Sequence, residues 1–438
     1  MKSGIITLFA ALMLLSCSQP KSELSMIVVA PGHFHASLLQ KNPLEGVSDT
    51  VRVYACAGSE LEAYKSTIES FNSRAENPTS WVLDIYEGED FLNHIPESDG
   101  NAFAVFAGNN KLKSDYILTC VSKGYHVISD KPMAINADGY AKLQQAYDLA
   151  QAKGLAVYDL MTERHDVQNV ITRTLMSDKE IFGEVAGKIE IEDIHHFFKQ
   201  VAGKPLIRPM WYFDVRQQGE GIADVTTHFI DLIFWECFSG ETITTADVKV
   251  TGADCFPTLV TLDQYKAVTG AEAFPEYLLQ DVKDGILNVY SNGTIDFEVK
   301  GIPVSILMRW DYAPEAGSGD RFHEVIPGSM SSLEIVQDAS TGFSRRLFLN
   351  TTEALASKAE ALLKATWPEV ALIKVEEGKY VVDIPAEYRH PHEEHFSMVG
   401  QEFISAVRSG SMPEWEKQNT LTKYHITTTA VSLASDER

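Results

Sequence analysis

The chain has few cysteines, no long apolar run after its first residues and no excess of positive charge. Its 438 residues carry 37 Lys and Arg against 61 Asp and Glu, for a formal net charge of −24. Such a surface repels the phosphates of nucleic acid and the anionic face of a membrane, so we expect neither as a direct partner. The five cysteines form no CxxC pair, so neither a zinc knuckle nor a redox pair is indicated. After Cys17, we expect Cys56, Cys120, Cys237 and Cys255 to be mostly buried free thiols.

Residues 1–16 resemble a bacterial lipoprotein signal peptide. The apolar run Ile5–Leu15 is too short to span a bilayer, and no later run is long enough to do so. The segment ends in Leu14-Leu15-Ser16-Cys17, which resembles a lipobox whose cysteine becomes the lipidated N-terminus. The alternative is an ordinary signal peptide with a chance cysteine. We therefore expect an exported protein, anchored through Cys17 to a bacterial membrane and facing the periplasm, with residues 17–25 as a tether.

The length and a change of pattern near residue 160 predict two domains of overall α/β class. Over residues 26–160, short apolar runs alternate with amphipathic stretches, which is typical of a Rossmann-like parallel sheet. Over residues 161–438, longer strands and hairpin turns such as Ser291-Asn292-Gly293 predict an α+β domain with a large, mostly antiparallel sheet. The tail is helical in pattern over Glu393–Arg408 and Leu421–Ala434.

The turn after the first predicted strand is a candidate cofactor site. In a dinucleotide-binding fold, glycines at this point let the backbone approach the pyrophosphate. Here the turn reads Ala30-Pro31-Gly32-His33-Phe34-His35-Ala36, with one glycine of the usual three. The usual acid for the ribose hydroxyls is missing, and Glu60 is the nearest one, so the choice between NAD and NADP stays open. The alternative is an ordinary strand-to-helix turn.

A Lys-Pro pair forms the second candidate. Asp130-Lys131-Pro132 follows the predicted strand His126–Ser129, at the sheet edge where ligands bind in such folds. The charge of a lysine there stabilises an alkoxide that develops beside it. The alternative is a surface lysine before a turn proline.

The third candidate is a glycine-rich loop, Gly219-Glu220-Gly221, that leads into a helix. At about 100° per residue, Asp224, His228 and Asp231 share one face of this helix. We expect Asp224 and His228 to project side by side, as general acid–base catalysis requires, with His228 titrating near the ordinary imidazole pKa of about 6.5. The alternative is a capping aspartate and a structural histidine.

The order and spacing of these features resemble the Gfo/Idh/MocA oxidoreductase family over roughly residues 26–340. That family carries Glu-Lys-Pro and, later, a glycine-rich loop and a helix bearing Asp and, four residues on, His; Lys131, Asp224 and His228 match. Arg164 and Ile181-Phe182-Gly183-Glu184-Val185 resemble further recurring positions. The chain departs from the pattern at Asp130, at the glycine turn, at the ribose acid and at Gly108-Asn109-Asn110, where the family usually has Thr-Pro.

The resemblance implies an NAD(P)-dependent oxidoreductase that moves a hydride between a nicotinamide and a secondary hydroxyl of a sugar or glycoside. It implies that His228 takes the hydroxyl proton, that Asp224 orients His228 or binds a neighbouring hydroxyl, and that Lys131 polarises the reacting oxygen. The cofactor contacts expected are Gly32, His33, Phe34, His35, Asn109, Asn110, Asp130, Lys131 and Pro132. The substrate contacts expected are Arg164, Asp224 and His228. His195, at the end of a predicted strand of the second domain, is a further expected substrate contact, and the alternative is a surface histidine at a strand end.

Other possibilities remain open at this stage. The same machinery serves an NAD-dependent glycosidase that oxidises its sugar transiently, and a non-catalytic sugar-binding lipoprotein would retain only the fold. We expect a tightly retained cofactor, because free nicotinamide cofactors are scarce outside the cytoplasm, and we expect a homo-oligomer. We expect no metal: His390, His392 and His395 are potential ligands, but Pro391 breaks any common helical face, so we interpret this cluster as a substrate-binding or helix-entry loop.

Overall fold

The computed structural model describes residues 23–201 and 204–436. The predicted signal peptide, Cys17 and most of the predicted tether lie outside these residues, so their assignment stays a prediction. Within the described ranges, no helix combines the length and the apolar character that crossing a bilayer requires. In the part of the chain that the structure describes, Cys56, Cys120, Cys237 and Cys255 form no disulfide bond, and Cys120 and Cys255 are buried.

The N-terminal half is built on a six-stranded parallel sheet in the order β3-β2-β1-β4-β5-β6, which confirms the Rossmann-like prediction. Central strands such as β4 are buried along their whole length, as a sheet covered on both faces requires. The strands are β1 (Leu24–Val29), β2 (Val47–Ala55), β3 (Val82–Glu87), β4 (Ala102–Phe106), β5 (His126–Ser129) and β6 (Val157–Asp159). The helices are α1 (His35–Leu38), α2 (Ser59–Ser73), α3 (Phe91–His94), α4 (Lys113–Ser122) and α5 (Ala137–Lys153).

The C-terminal half contains a ten-stranded sheet, in which β7 and β13 pair in parallel and the other pairs are antiparallel. Along the sheet the order is β10-β12-β13-β7-β14-β15-β16-β18-β17, and β11 pairs with β12. The strands of this half are β7 (Ile189–His196), β8 (Gln200–Val201), β9 (Lys204–Pro205), β10 (Val248–Thr261), β11 (Val282–Lys283), β12 (Ile286–Val299), β13 (Ile302–Asp311), β14 (Arg321–Pro327), β15 (Ser332–Gln337), β16 (Arg346–Asn350), β17 (Ala371–Glu376) and β18 (Lys379–Asp383). The helices are α6 (Val167–Ser177), α7 (Val215–Gln218), α8 (Gly221–Asp224), α9 (Thr226–Cys237), α10 (Leu262–Thr269), α11 (Glu353–Lys364), α12 (His392–Ser409) and α13 (Glu416–Asp436).

One predicted hairpin is wrong. The turn expected at Ser291-Asn292-Gly293 is the middle of β12, which runs unbroken between β10 and β13. Asn292 ties neighbouring strands together, since its side chain donates to Thr258 Oγ1 at 2.8 Å and accepts from the backbone N–H of Trp310 at 2.7 Å. Gly293 serves close packing, because a Cβ there would lie 2.7 Å from the Ile222 side chain of α8.

The end of the chain returns to the N-terminal half. Phe396 and Phe403 of α12 join the core around β1, β2 and β4. Tyr424 of α13 accepts a hydrogen bond from the backbone N–H of Met133 at 2.9 Å and donates to Asp159 at 2.7 Å. Side chains of α12 and α13 therefore join the two halves and pack against the parallel-sheet half.

Candidate active site

A cleft lies between the C-terminal edge of the parallel sheet and the loops of the second half. It contains a cavity of about 520 Å³ and, beside it, a second of about 580 Å³. Residues from both halves line the first cavity; among those predicted from the sequence are His33, Phe34, His35, Asn110, Asp130, Lys131, His195, Asp224 and His228. The two cavities share part of their lining, namely His33, Phe34, Leu206, Arg208, Trp211 and Tyr212. Together they form a continuous groove from the first β–α turn to the floor of the large sheet.

Lys131 and Asp224 form an ion pair across this cleft. The Lys131 Nζ atom donates to Asp224 Oδ1 at 2.7 Å, and Gln218 Nε2 donates to Oδ2 at 2.9 Å. Burial opposes the charge on Lys131, but Asp224 and Asp130 outweigh it, so the pKa of Lys131 is raised. Lys131 is therefore a cation at neutral pH, held in place by a carboxylate that the second half supplies.

The glycine-rich loop brings Asp224 to this position by close packing. Gly219 has a φ of +98°, which favours glycine, and it ends α7. A Cβ on Gly221 would lie 1.9 Å from the carbonyl oxygen of Ser291, so α8 rests directly on β12. Gln218 and Asp224, at the ends of the two short helices, consequently meet.

His228 lies on α9 and lines the same cavity as Asp224, but the expectation that it titrates near 6.5 is wrong. Of the two roles expected for Asp224, orienting His228 is not seen: its carboxylate accepts from Lys131 and Gln218, and no hydrogen bond joins it to His228 among the described residues. Within the described ranges, His228 Nδ1 is buried without a hydrogen-bond partner. Burial and the nearby charge of Lys131 hold the pKa of His228 well below 6.5, so this imidazole is neutral at physiological pH.

The turn after β1 departs from the usual arrangement of a dinucleotide fold. Gly32 packs tightly against the turn after β4, where a Cβ on Gly108 would lie 2.4 Å from the Ala30 carbonyl oxygen. The backbone N–H groups of Gly32 and His33 both donate to Ala107 O, at 3.0 and 3.2 Å. These amides are therefore engaged within the protein.

The two asparagines expected to contact cofactor bridge the halves. Asn109 Nδ2 donates to Gln217 Oε1 at 2.7 Å, and Asn110 Nδ2 donates to the Gln218 carbonyl oxygen at 2.7 Å. Asn110 also lines the cavity, whereas Asn109 and Pro132 are not among the lining residues. Asn109 and Asn110, which stand where the family usually has Thr-Pro, thus connect the sheet edge to α7 by hydrogen bonds.

Arg164 is not brought into the cavity. It is buried, and its guanidinium pairs with Asp231 at 2.7 Å and with Glu416 at 2.8 Å. Burial opposes its charge, but the two carboxylates outweigh that effect and raise the pKa of Arg164. Lys423 extends the network by contacting Asp159 and Asp231, each at 2.9 Å. Arg164 therefore joins α9 and α13, and Asp231 belongs to this network instead of the catalytic face.

Most of the side chains that face the sheet edge across the cavity were not predicted from the sequence. His195, which was predicted, stacks on Trp310 with ring centroids 4.9 Å apart. The Arg208 guanidinium lies 5.1 Å from the centre of the same Trp310 ring, and Asp320 accepts from His195 at 3.1 Å. Trp310 lies on β13, whereas Arg208 and Asp320 lie in two different loops, so no spacing in the sequence links them. An aromatic face among polar side chains suits a ligand with both apolar and hydroxyl surfaces.

The histidines near the C-terminus lie at or just before the start of α12. His392 lines the cavity, and its ring lies beside that of the buried His395, with ring centroids 6.0 Å apart. His390 is exposed. The interpretation of this stretch as a substrate-binding or helix-entry loop stays a prediction.

Comparisons with known proteins agree with this architecture. Residues 171–435 match the family described as "Putative oxidoreductase C terminal domain". A solved structure described as "putative oxidoreductase from Parabacteroides merdae" is 38% identical, with a TM-score of 0.91 over 95% of this chain and 98% of that one.

More distant structures share the fold. Levoglucosan dehydrogenase in complex with NADH and levoglucosan is 13% identical, with a TM-score of 0.60 over 95% of this chain and 98% of that chain. A 3-ketoreductase from Actinomadura kijaniata in complex with NADP is 12% identical, with a TM-score of 0.55 over 94% and 98%. Among curated proteins, none matches this sequence.

Proposed function

This chain belongs to the Gfo/Idh/MocA type of oxidoreductase, and on that premise we propose that it transfers a hydride between a nicotinamide cofactor and a secondary hydroxyl of a sugar or glycoside. The observation that carries the proposal is the meeting of Lys131, Asp224 and His228 in one cavity at the edge of the parallel sheet. Two distant structures of this fold, complexes with NADH and with NADP, support the cofactor class, and one of them also holds a sugar.

In this proposal Lys131 is the electrostatic group. Its ammonium, held by Asp224 at 2.7 Å, donates to the reacting oxygen and stabilises the negative charge that develops there. His228, neutral at physiological pH, accepts the hydroxyl proton during oxidation and returns it during reduction. Asp224 keeps Lys131 charged and correctly aimed. Trp310 and Arg208 form the opposite wall, against which a sugar ring can lie.

The second cavity of the groove begins at the turn after β1 and reaches Ser59 and Glu60 at the start of α2. When bound, the nicotinamide would supply the hydride acceptor or donor. Trp211 Nε1 donates to the Glu60 carboxylate, so the second half closes over this end of the groove. Burial raises the pKa of Glu60 and its carboxylate already accepts from Trp211, so the choice between NAD and NADP stays open.

We also propose that the cofactor is retained through many turnovers and that the protein is exported and anchored through Cys17. The bridges that support retention are Asn109–Gln217, Asn110–Gln218 and Glu60–Trp211, which join the halves across the groove. Each tenfold of tighter binding requires about 1.4 kcal/mol.

The test is mass spectrometry of the purified protein after long dialysis, followed by an assay on glycosides without added cofactor. Copurified nicotinamide cofactor and a keto-sugar product are expected. Release of the free aglycone would favour the NAD-dependent glycosidase instead. Protein that holds no cofactor and shows no activity with millimolar NAD or NADP would contradict the enzyme and leave a sugar-binding role.

A further inference from the structure

Two histidines and a carboxylate converge in the cleft, outside the catalytic trio. His33 and His35 belong to the turn after β1, and Asp130 follows β5, 95 residues after His35. His35 Nδ1 lies 3.0 Å and His33 Nδ1 lies 3.5 Å from the same oxygen, Asp130 Oδ2. One ligand atom from each of the three lies within 4.8 Å of the others.

We propose that His33, His35 and Asp130 bind a divalent transition-metal ion of the zinc class. Zinc bonds to imidazole nitrogen and carboxylate oxygen at about 2.0–2.2 Å, which separates tetrahedral ligands by about 3.3–3.5 Å. The distances from Asp130 Oδ2 to His35 Nδ1, 3.0 Å, and to His33 Nδ1, 3.5 Å, are close to this ligand-to-ligand separation. Two imidazoles and one carboxylate are also the ligand set of open zinc sites, in which the fourth position is left for water.

The burial of the three side chains favours metal binding. Asp130 is buried, and the His35 side chain is only 14% exposed. His33 Nδ1 is buried and has no hydrogen-bond partner among the described residues. Two largely enclosed imidazoles therefore face one buried carboxylate.

The surroundings hold the ligands in place and leave an entry path. Lys113 Nζ donates to the Asp130 carbonyl oxygen at 2.9 Å, and the Asp130 N–H donates to Phe106 O at 2.7 Å, which fixes the backbone behind the carboxylate. All three ligands line the 520 Å³ cavity, so an ion can reach them. A bound cation would supply the positive charge that the turn does not offer, because the Gly32 and His33 amides are engaged by Ala107 O.

The experiment uses the full purified chain, stripped with a chelator and titrated with Co²⁺, whose visible absorption reports a four-coordinate site. We expect saturation at one equivalent, displacement by Zn²⁺, and no displacement by Mg²⁺, which prefers oxygen ligands. His35→Ala and Asp130→Asn should each weaken Co²⁺ binding by at least about 100-fold, more than loss of a supporting group costs. The matched control is His323→Ala, an exposed histidine paired with Glu334 in the other half, which should bind Co²⁺ as the wild type does.

The outcomes separate cleanly because the readout is metal binding, not activity. If His35→Ala fails to fold by circular dichroism, Asp130→Asn, which keeps the shape of the side chain, answers the same question. Absence of one-equivalent binding in the wild type would overturn the proposal. So would Co²⁺ binding that survives both substitutions, or that weakens equally in His323→Ala. Failure of the metal site would leave the proposed hydride transfer untouched, since Lys131, Asp224 and His228 lie outside the ligand set.

Discussion

Replacing Lys131 by methionine should damage both stability and catalysis, by separable amounts. The ion pair with Asp224 is almost enclosed, with the two side chains 13% and 7% exposed. Removal of one partner of a buried pair leaves an uncompensated charge and typically costs about 3–5 kcal/mol. Gln218 still donates to Asp224 Oδ2, so we expect the lower end, about 3 kcal/mol of the free energy of unfolding. Loss of the ammonium from the reaction should cost about two to three powers of ten in kcat.

A double variant separates these two effects. In Lys131→Met/Asp224→Asn the unpaired carboxylate is gone, so the free energy of unfolding should return to within about 1 kcal/mol of the wild type. Turnover should not return, because neither residue can then stabilise charge on the reacting oxygen. Stability is measured by urea denaturation followed by circular dichroism, and turnover by nicotinamide absorbance on a glycoside substrate.

Two results would refute this reasoning. Turnover of Lys131→Met within threefold of the wild type would remove Lys131 from the reaction. A double variant as unstable as the single one would show that the buried Asp224 charge is not what destabilises Lys131→Met. In that case the loss would have to come from packing of the lysine side chain.

Three further predictions concern His228, Arg164 and Glu324. His228→Gln should lower kcat by a factor of about 10²–10⁴. The oxidation rate of the wild type should be constant from pH 6.5 upward, because burial keeps the pKa of His228 well below that value. A rate that rises between pH 6.5 and 7.5 would contradict this. Arg164→Met should lower the free energy of unfolding by about 3–5 kcal/mol, because Asp231 and Glu416 would stay buried without their partner. A stably folded variant with a raised KM would instead indicate that Arg164 binds substrate. Burial raises the pKa values of Glu324 and of its neighbour Glu236, so the folded state holds both protons to higher pH than the unfolded chain does. The free energy of unfolding should therefore fall as the pH rises above about 4.5, and Glu324→Gln should make this fall smaller in urea denaturation at pH 5 and pH 8.

Local patterns in the sequence were enough to predict the parallel sheet. Short apolar runs separated by amphipathic stretches give β1 to β6 within a few residues, because burial on both faces leaves a simple signature. The Lys131 and Asp224 positions were also predictable, since each follows a motif of its own. Their ion pair was not, because it depends on how α8 packs on β12.

The wrong hairpin has the same physical cause. Asn-Gly favours a reversal only when the chain is free to turn. Here β10 and β13 pair with both edges of the strand, and the missing side chain of Gly293 makes room for Ile222. The Asn-Gly pair predicted a turn, but Gly293 instead allows α8 to pack closely on β12. Strands and a helix that are distant in sequence determine which of these two structures forms.

A buried network of ion pairs around Arg164 connects the elements that carry Lys131 and His228. Arg164 and Lys423 together neutralise Asp231, which lies on the helix that carries His228, and Lys423 also contacts Asp159 at the end of β6. Since β6 belongs to the sheet that positions Lys131, one buried network links the supports of both catalytic side chains through α13. A shift of α13 would leave buried charges uncompensated, so the network penalises any change in the separation of Lys131 and His228. The catalytic geometry therefore depends on the last helix of the chain, although that helix supplies no residue to the lining of the cavity.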